Sequence, residues 1–135
     1  MVAATIKEYV DTYKKSIANT DIFDVNIWWD KISRDRFVKY DSWEEQMKAY
    51  RSFSIRKGIV TNAVAAKFDP YEGNAELAEL LKGQNGFFGC MVLTPDICFK
   101  DNGSEYILGM KDKGFIAARM FPKTFMHSMS DYATG

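Results

Sequence analysis

The chain has a single histidine, His127, and that residue is the first candidate for proton transfer near neutrality, because an unperturbed imidazole titrates between ordinary acids and bases. Two further groups carry chemistry. Asp24, Asn26 and Trp28 stand at alternate positions, so on an extended strand they project from one face. Arg119 and Lys123 place two cations around the end of a later apolar run. Asn26 offers an amide to a substrate, and Trp28 offers a wall or a stacking surface. Asp24 inside a fold needs a partner, and Arg119 is read as that partner, so an ion pair competes with an acid/base role for this carboxylate. His127 and Asp24 are therefore the candidate catalytic residues. Asn26, Trp28, Arg119 and Lys123 are the candidate substrate-binding residues. With one histidine the chain cannot assemble a histidine-rich metal site from itself, and no metal ligand is assigned.

The elements that would position these side chains follow from periodicity. Ile6, Val10, Tyr13 and Ile17 recur at helical spacing among charged residues, which predicts an amphipathic helix over 2–18 whose apolar stripe packs on the rest or plugs one end of it. Ile22 to Trp28 reads as a first strand. A second helix begins at Asp41 or Ser42 with a glutamate as capping partner, and is expected to end at Gly58. The β-branched run Ile59 to Ala65 reads as the second strand, and 67–73 as a loop punctuated by Pro70 and Gly73. Asn74 is expected to cap a short helix over 75–82. Phe87 to Leu93, apolar throughout, suits a strand buried on both sides. A helix near 104–113 and a fourth strand, Phe115 to Phe121, complete the series. A helix follows each of the first three strands, which implies parallel strands joined by right-handed crossovers, with the longer loops at their C-terminal ends. Ligands bind at that end in open and closed α/β folds alike.

Composition narrows the partners. Eighteen basic residues balance eighteen acidic ones, so no net charge points to nucleic acid or an anionic membrane. The cluster Lys31, Arg34, Arg36 and Lys39 is interleaved with Asp30, Asp35 and Asp41 and reads as a solvated loop. Hydrophobic residues make up 47% and aromatics 15%, enough for a real core. No apolar run approaches a membrane span of roughly 20 residues, and no secretory leader is read at the N-terminus. Cys90 and Cys98 form no CxxC pair and read as reduced thiols, with Cys90 as a small core residue. The expected setting is the cytoplasm, with a small-molecule substrate and a homo-oligomer as an allowed assembly.

Neither GxGxxG nor a P-loop motif follows the first strand, which argues against a nucleotide-binding sheet. The first strand at Ile22 to Trp28, Lys57 to Ile59 before the second, Glu72 to Asn74 after it, Phe88 to Pro95, and Gly114 to Pro122 together resemble the N-terminal half of the amidohydrolase superfamily's (β/α)8 barrels. The resemblance implies an α/β fold made of an N-terminal helix and four parallel β/α units over 22–121, half of a TIM-type barrel. Because a full barrel needs about 250 residues, it also implies a partial domain and a truncated chain. It implies a hydrolase, or a decarboxylase-type lyase, acting on a small polar substrate. The superfamily's His-x-His metal pair would fall on Asn26 and Trp28, which are not usual ligands. A divalent metal such as zinc is then expected only with ligands from the other half. The alternative is a non-catalytic ligand-binding protein on the same scaffold, using Trp28, Asn26, Arg119 and Lys123.

Overall fold

The structure, a computed structural model, describes residues 5–32, 40–99 and 102–127, with the Cys98 side chain outside that set. Arg34, Arg36 and Lys39 of the interleaved basic stretch, and the chain beyond His127, lie outside the described residues. In chain order the elements are α1 (Ile6–Ile17), β1 (Ile22–Trp29), α2 (Trp43–Arg51), β2 (Ile55–Asn62), α3 (Ala63–Lys67), α4 (Pro70–Leu80), β3 (Phe87–Leu93), α5 (Pro95–Phe99), α6 (Gly103–Asp112) and β4 (Phe115–Met120). The four strands form one parallel sheet in the order β1-β2-β3-β4. The alternation of strand and helix expected from periodicity is thus the observed architecture. Among the described residues no helix is long and apolar enough to cross a membrane.

One face of the sheet is covered by helices and holds the main core. Ile27 and Trp29 from β1, Val60 from β2, Phe87 and Met91 from β3 and Phe115 from β4 pack there against Trp43 and Met47 of α2, Leu77 and Ala78 of α4 and Met110 of α6. Trp43 meets Trp29 and Phe87 edge to face, with ring centroids 5.9 Å and 5.5 Å apart, a favourable arrangement for aromatic quadrupoles. Cys90 faces the other side and is 1% exposed, as a small core residue should be.

Three boundaries differ from the sequence expectation, each for a local reason. α2 does not run to Gly58 but stops at Arg51, and the chain turns at Ser54, whose φ of 59° is unusual for a residue with a side chain. That turn is held by the Ser54 hydroxyl, which donates to the Ile17 carbonyl at 2.7 Å, and by the Ser54 carbonyl, which accepts from Ile22 N–H at 3.0 Å. Gly58 instead lies inside β2, where an added Cβ would sit 2.4 Å from the Asp24 carbonyl oxygen. α4 starts at Pro70 with Asp69 as its cap, accepting from the N–H groups of Tyr71 and Glu72, and residues 63–67, read as strand and loop, form α3. α1 neither plugs an end nor buries its stripe: it touches the rest through Ile17 and through Tyr13, 6.4 Å from Phe53, while Ile6 is 84% exposed.

The sheet opens between β2 and β3. Their pairing runs from Gly58 opposite Phe87 to Val60 opposite Gly89, and beyond it Ala65 and Ala66 of α3 pack against Val92. Asn74, displaced from the expected cap into the interior of α4, stands in for a neighbouring strand. Its amide donates to the Val92 carbonyl and accepts from the Val92 N–H, both at 2.9 Å, and donates to Tyr106 Oη at 3.0 Å. A fully buried amide with these bonds satisfies two backbone groups that would otherwise be orphaned.

Candidate functional site

The opposite, concave face of the sheet gathers most of the sequence-predicted residues. The facing side chains are fixed by register. In β3, Phe88, Cys90 and Val92 alternate away from the core residues Phe87 and Met91. Cys90 pairs with Ala117 and Val92 with Arg119, so β4 presents Ala117 and Arg119 to the same side. Trp28 pairs with Thr61 and packs with Phe121 and Phe125 against Ala65, Ala66 and Val92.

β1 departs from simple alternation. Asp24 is opposite Gly58 and Ile27 is opposite Val60, so Val25 and Asn26 together span one partner residue, which is the signature of a β-bulge. The extra residue changes which side chains share a face. Phe23, expected with Val25 and Ile27 on the helix-covered side, stacks instead on Phe88 at 6.4 Å. Asp24, expected beside Asn26 and Trp28, turns its carboxylate onto the Asn26 N–H at 2.8 Å and braces the bulge.

The bulge delivers Asn26 to Arg119. The guanidinium crosses from β4 to β1, donating through Nη1 to Asn26 Oδ1 at 2.7 Å and through Nη2 to the Val25 carbonyl at 3.1 Å. Trp28 Nε1 donates to the same Asn26 oxygen at 3.2 Å, and the guanidinium carbon lies 5.9 Å from the Trp28 ring centre. Trp28 in turn stands 6.0 Å from Phe121. Arg119 therefore has Asn26, not Asp24, as its partner. Among the described residues no carboxylate lies within ion-pairing distance of it. Both its acceptors are neutral, so a half-buried positive charge is hydrogen-bonded without being balanced. Burial pushes the Cys90 thiol up from its ordinary range, with the Thr61 hydroxyl and the Arg119 charge pulling the other way.

The remaining candidates are not drawn into this group. Lys123 is exposed on the turn after β4. His127 closes that turn, its N–H bonded to the Pro122 carbonyl at 3.0 Å, and both imidazole nitrogens are buried without a hydrogen-bond partner among the described residues. The candidate catalytic residues His127 and Asp24 are thus not bonded to each other.

Sequence reasoning passed over a set of polar residues that close the strands. Asp30, immediately after β1, has a side chain only 1% exposed, 3.8 Å from Lys67 Nζ and accepting from Ile32 N–H at 3.0 Å. Asn62, ending β2, accepts from Val64 N–H at 2.7 Å and donates to Glu76 at 3.1 Å, while Thr94 after β3 donates to Asp96. The signal for Asp30 and Thr94 was the first polar side chain after the run, whereas Asn62 was hidden inside the stretch read as the second strand. These bonds organise the loops at the strand ends. On the helix side, a cleft of about 350 Å³ along α2 is lined by Tyr40, Glu45, Lys48, Ala49 and Ser52, with Glu45 holding the Asp41 N–H at 2.9 Å.

A divalent metal does not fit the positions that the barrel resemblance points to. Asn26 Oδ1 already accepts two hydrogen bonds, one from a guanidinium that would repel a cation, and Trp28 spends its only polar group as a donor. No cluster of three or more His, Cys, Asp or Glu side chains suited to a metal occurs among the described residues. Comparison with family models, with curated proteins and with solved structures finds no match to this chain.

Proposed function

We propose that this chain is a small-molecule-binding protein whose ligand seats on the concave face of the sheet over Arg119. One observation carries the reading: a half-buried guanidinium, fixed by Asn26 and the Val25 carbonyl and beside the Trp28 ring, has only neutral acceptors among the described residues. Such a charge is incompletely compensated, and a ligand's polar group completes it. Fixed partners also remove most of the side-chain entropy that binding would otherwise cost. The test is nitrogen-edited NMR of the protein titrated with a panel of small organic acids, amides and alcohols. The expected result is saturable shifts centred on Arg119 Nε–H and Trp28 Nε1–H that disappear in Arg119→Gln. Shifts scattered over the surface, or the same shifts in Arg119→Gln, would sink the reading.

A second reading, an amidohydrolase-like half-barrel catalysing hydrolysis or decarboxylation, is supported by the strand order β1-β2-β3-β4, which is that of consecutive strands around a (β/α)8 barrel. It is also supported by His127, whose imidazole follows the last of these strands and has no hydrogen-bond partner among the described residues. Turnover in an ester, amide and carboxylic-acid screen, abolished by His127→Gln with the fold intact, is its test.

A further inference from the structure

Resting on the binding reading above, we propose that the ligand is a monocarboxylate with an apolar body, its carboxylate on the Arg119 guanidinium and its body lying along the concave face toward Phe23 and Phe88. The head group follows from the donors. A guanidinium has five N–H groups in a planar fork, and here one is given to Asn26 and one to the Val25 carbonyl. Three donors remain, Nε–H and one on each Nη, and the planar guanidinium fork is the geometry that suits arginine, and not lysine, to a carboxylate.

The charge of the ligand follows from the neighbours. Lys57, opposite Phe23, shares this face but is bridged to Asp21 at 3.4 Å, and the raised thiol of Cys90 is neutral, so among the described residues Arg119 is the cation here without a carboxylate partner. Asp24 stands close behind on the Asn26 N–H and adds a negative charge to the surroundings. Lys123 is exposed on its turn, where water already solvates its ammonium. A monoanion neutralises Arg119, whereas a dianion such as phosphate would leave an excess negative charge against aromatic rings and near Asp24.

The body follows from the apolar surface. Phe23 is 44% exposed and the adjoining Val25 60% exposed, although both belong to a strand, and Phe23 stacks on Phe88 at 6.4 Å. At the other end Trp28 and Phe121 form a second aromatic pair. Phe23 and Trp28 are five positions apart, a span of roughly 15 Å at the usual strand rise, and the guanidinium reaches the face between them. An apolar chain or single ring attached to the carboxylate covers the Phe23 end, which is the exposed one.

The test is calorimetric titration of the intact chain with hydrocinnamate, hydrocinnamamide, acetate and inorganic phosphate. Hydrocinnamate is expected to bind about tenfold or more tightly than each of the other three, because both a charge-assisted pair and an apolar contact are then realised. Arg119→Gln should remove that advantage over the amide by weakening hydrocinnamate by the larger factor of the two. Arg119→Lys, which keeps the charge but loses the fork, should recover only part of it. Phe23→Ser should weaken hydrocinnamate and leave acetate unchanged. Equal affinity for acid and amide would overturn the carboxylate assignment while leaving a ligand site on this face. Tighter binding of phosphate would overturn the monoanion assignment. Failure of all four probes, with the fold verified by circular dichroism, would overturn the proposal together with the binding reading beneath it.

Discussion

Ile27 and Trp28 are neighbours in the chain and point into opposite worlds. Ile27 is fully buried under the helices, in the apolar cluster with Trp29, Trp43, Met47 and Val60. Trp28 is half-buried on the concave side, where its indole N–H is bonded to Asn26 and its ring lies near a guanidinium. The helix-covered face has the composition of a packing surface: large side chains interdigitate and Asn74 satisfies the Val92 backbone, while the buried Trp43 indole N–H has no partner among the described residues. The concave face carries a charge with no carboxylate in ion-pairing distance among the described residues and exposes aromatic area at Phe23. The bonds of Arg119 tie β4 to β1 across the sheet, and the charge they leave unbalanced is what the binding reading rests on.

The largest effect should come from separating the two faces by mutation. Ile27→Ala removes buried atoms from a filled core and is expected to cost about 2–5 kcal/mol in a urea denaturation experiment. Trp28→Leu keeps an apolar side chain in a half-buried place and should cost about 1 kcal/mol, while removing the ring beside Arg119 and with it most ligand-induced shifts. If Trp28→Leu destabilised as much as Ile27→Ala, the concave face would be a second core and its arginine a structural strut.

How far this division could be read from the sequence depends on the element. β3 was legible to the residue, because Phe87 to Leu93 is apolar on both faces and bounded by Gly86 and Thr94–Pro95. The parallel order was legible from alternation alone. The bulge at Val25 and Asn26 was not: nothing in the run Ile22 to Trp29 marks an extra residue, and its consequence, Asn26 rather than Asp24 on Arg119, depends on pairing with β2. The turn at Ser54 was missed because a left-handed residue is expected to be glycine, and here tertiary hydrogen bonds to α1 and β1 hold a serine in it. Gly58 was read as a stop for the related reason that a glycine required by close strand approach looks, in sequence, like one required by a turn. Arg119 and Trp28 were found by strand alternation, and their meeting with Asn26 across the sheet is what only the fold supplies.

Cys90 sharpens the comparison from within the concave face. Burial raises its thiol above the ordinary value of 9.0, and an acid whose pKa is higher in the folded chain stabilises the fold only while protonated. Its contribution is complete below the unfolded thiol pKa and is lost as pH rises through the folded one. Tyr106 and Tyr40, also raised mainly by burial, start from 10.0 and act at higher pH. The urea midpoint should therefore begin to fall near pH 9, and Cys90→Ala should hold it level until the tyrosines titrate. An identical decline in both proteins would mean that the floor of this face is wet and the thiol solvated.

The smallest effect is expected at Lys123, and its smallness is informative. Arg119 is oriented by two hydrogen bonds and has lost much of its water, so its charge acts at short range in a poorly screened setting. Lys123 is exposed after β4 and acts through solvent, where charges farther apart than a Debye length of about 8 Å are largely screened at physiological salt. Lys123→Gln should weaken hydrocinnamate binding by about twofold or less at low salt, with the difference vanishing at high salt, whereas the loss in Arg119→Gln should persist across the salt series. Titrations of the two variants at low and high ionic strength measure this directly. A salt-resistant loss in Lys123→Gln would mean that the turn folds over the ligand and brings a second cation into the site, making the preferred anion more highly charged than a monocarboxylate.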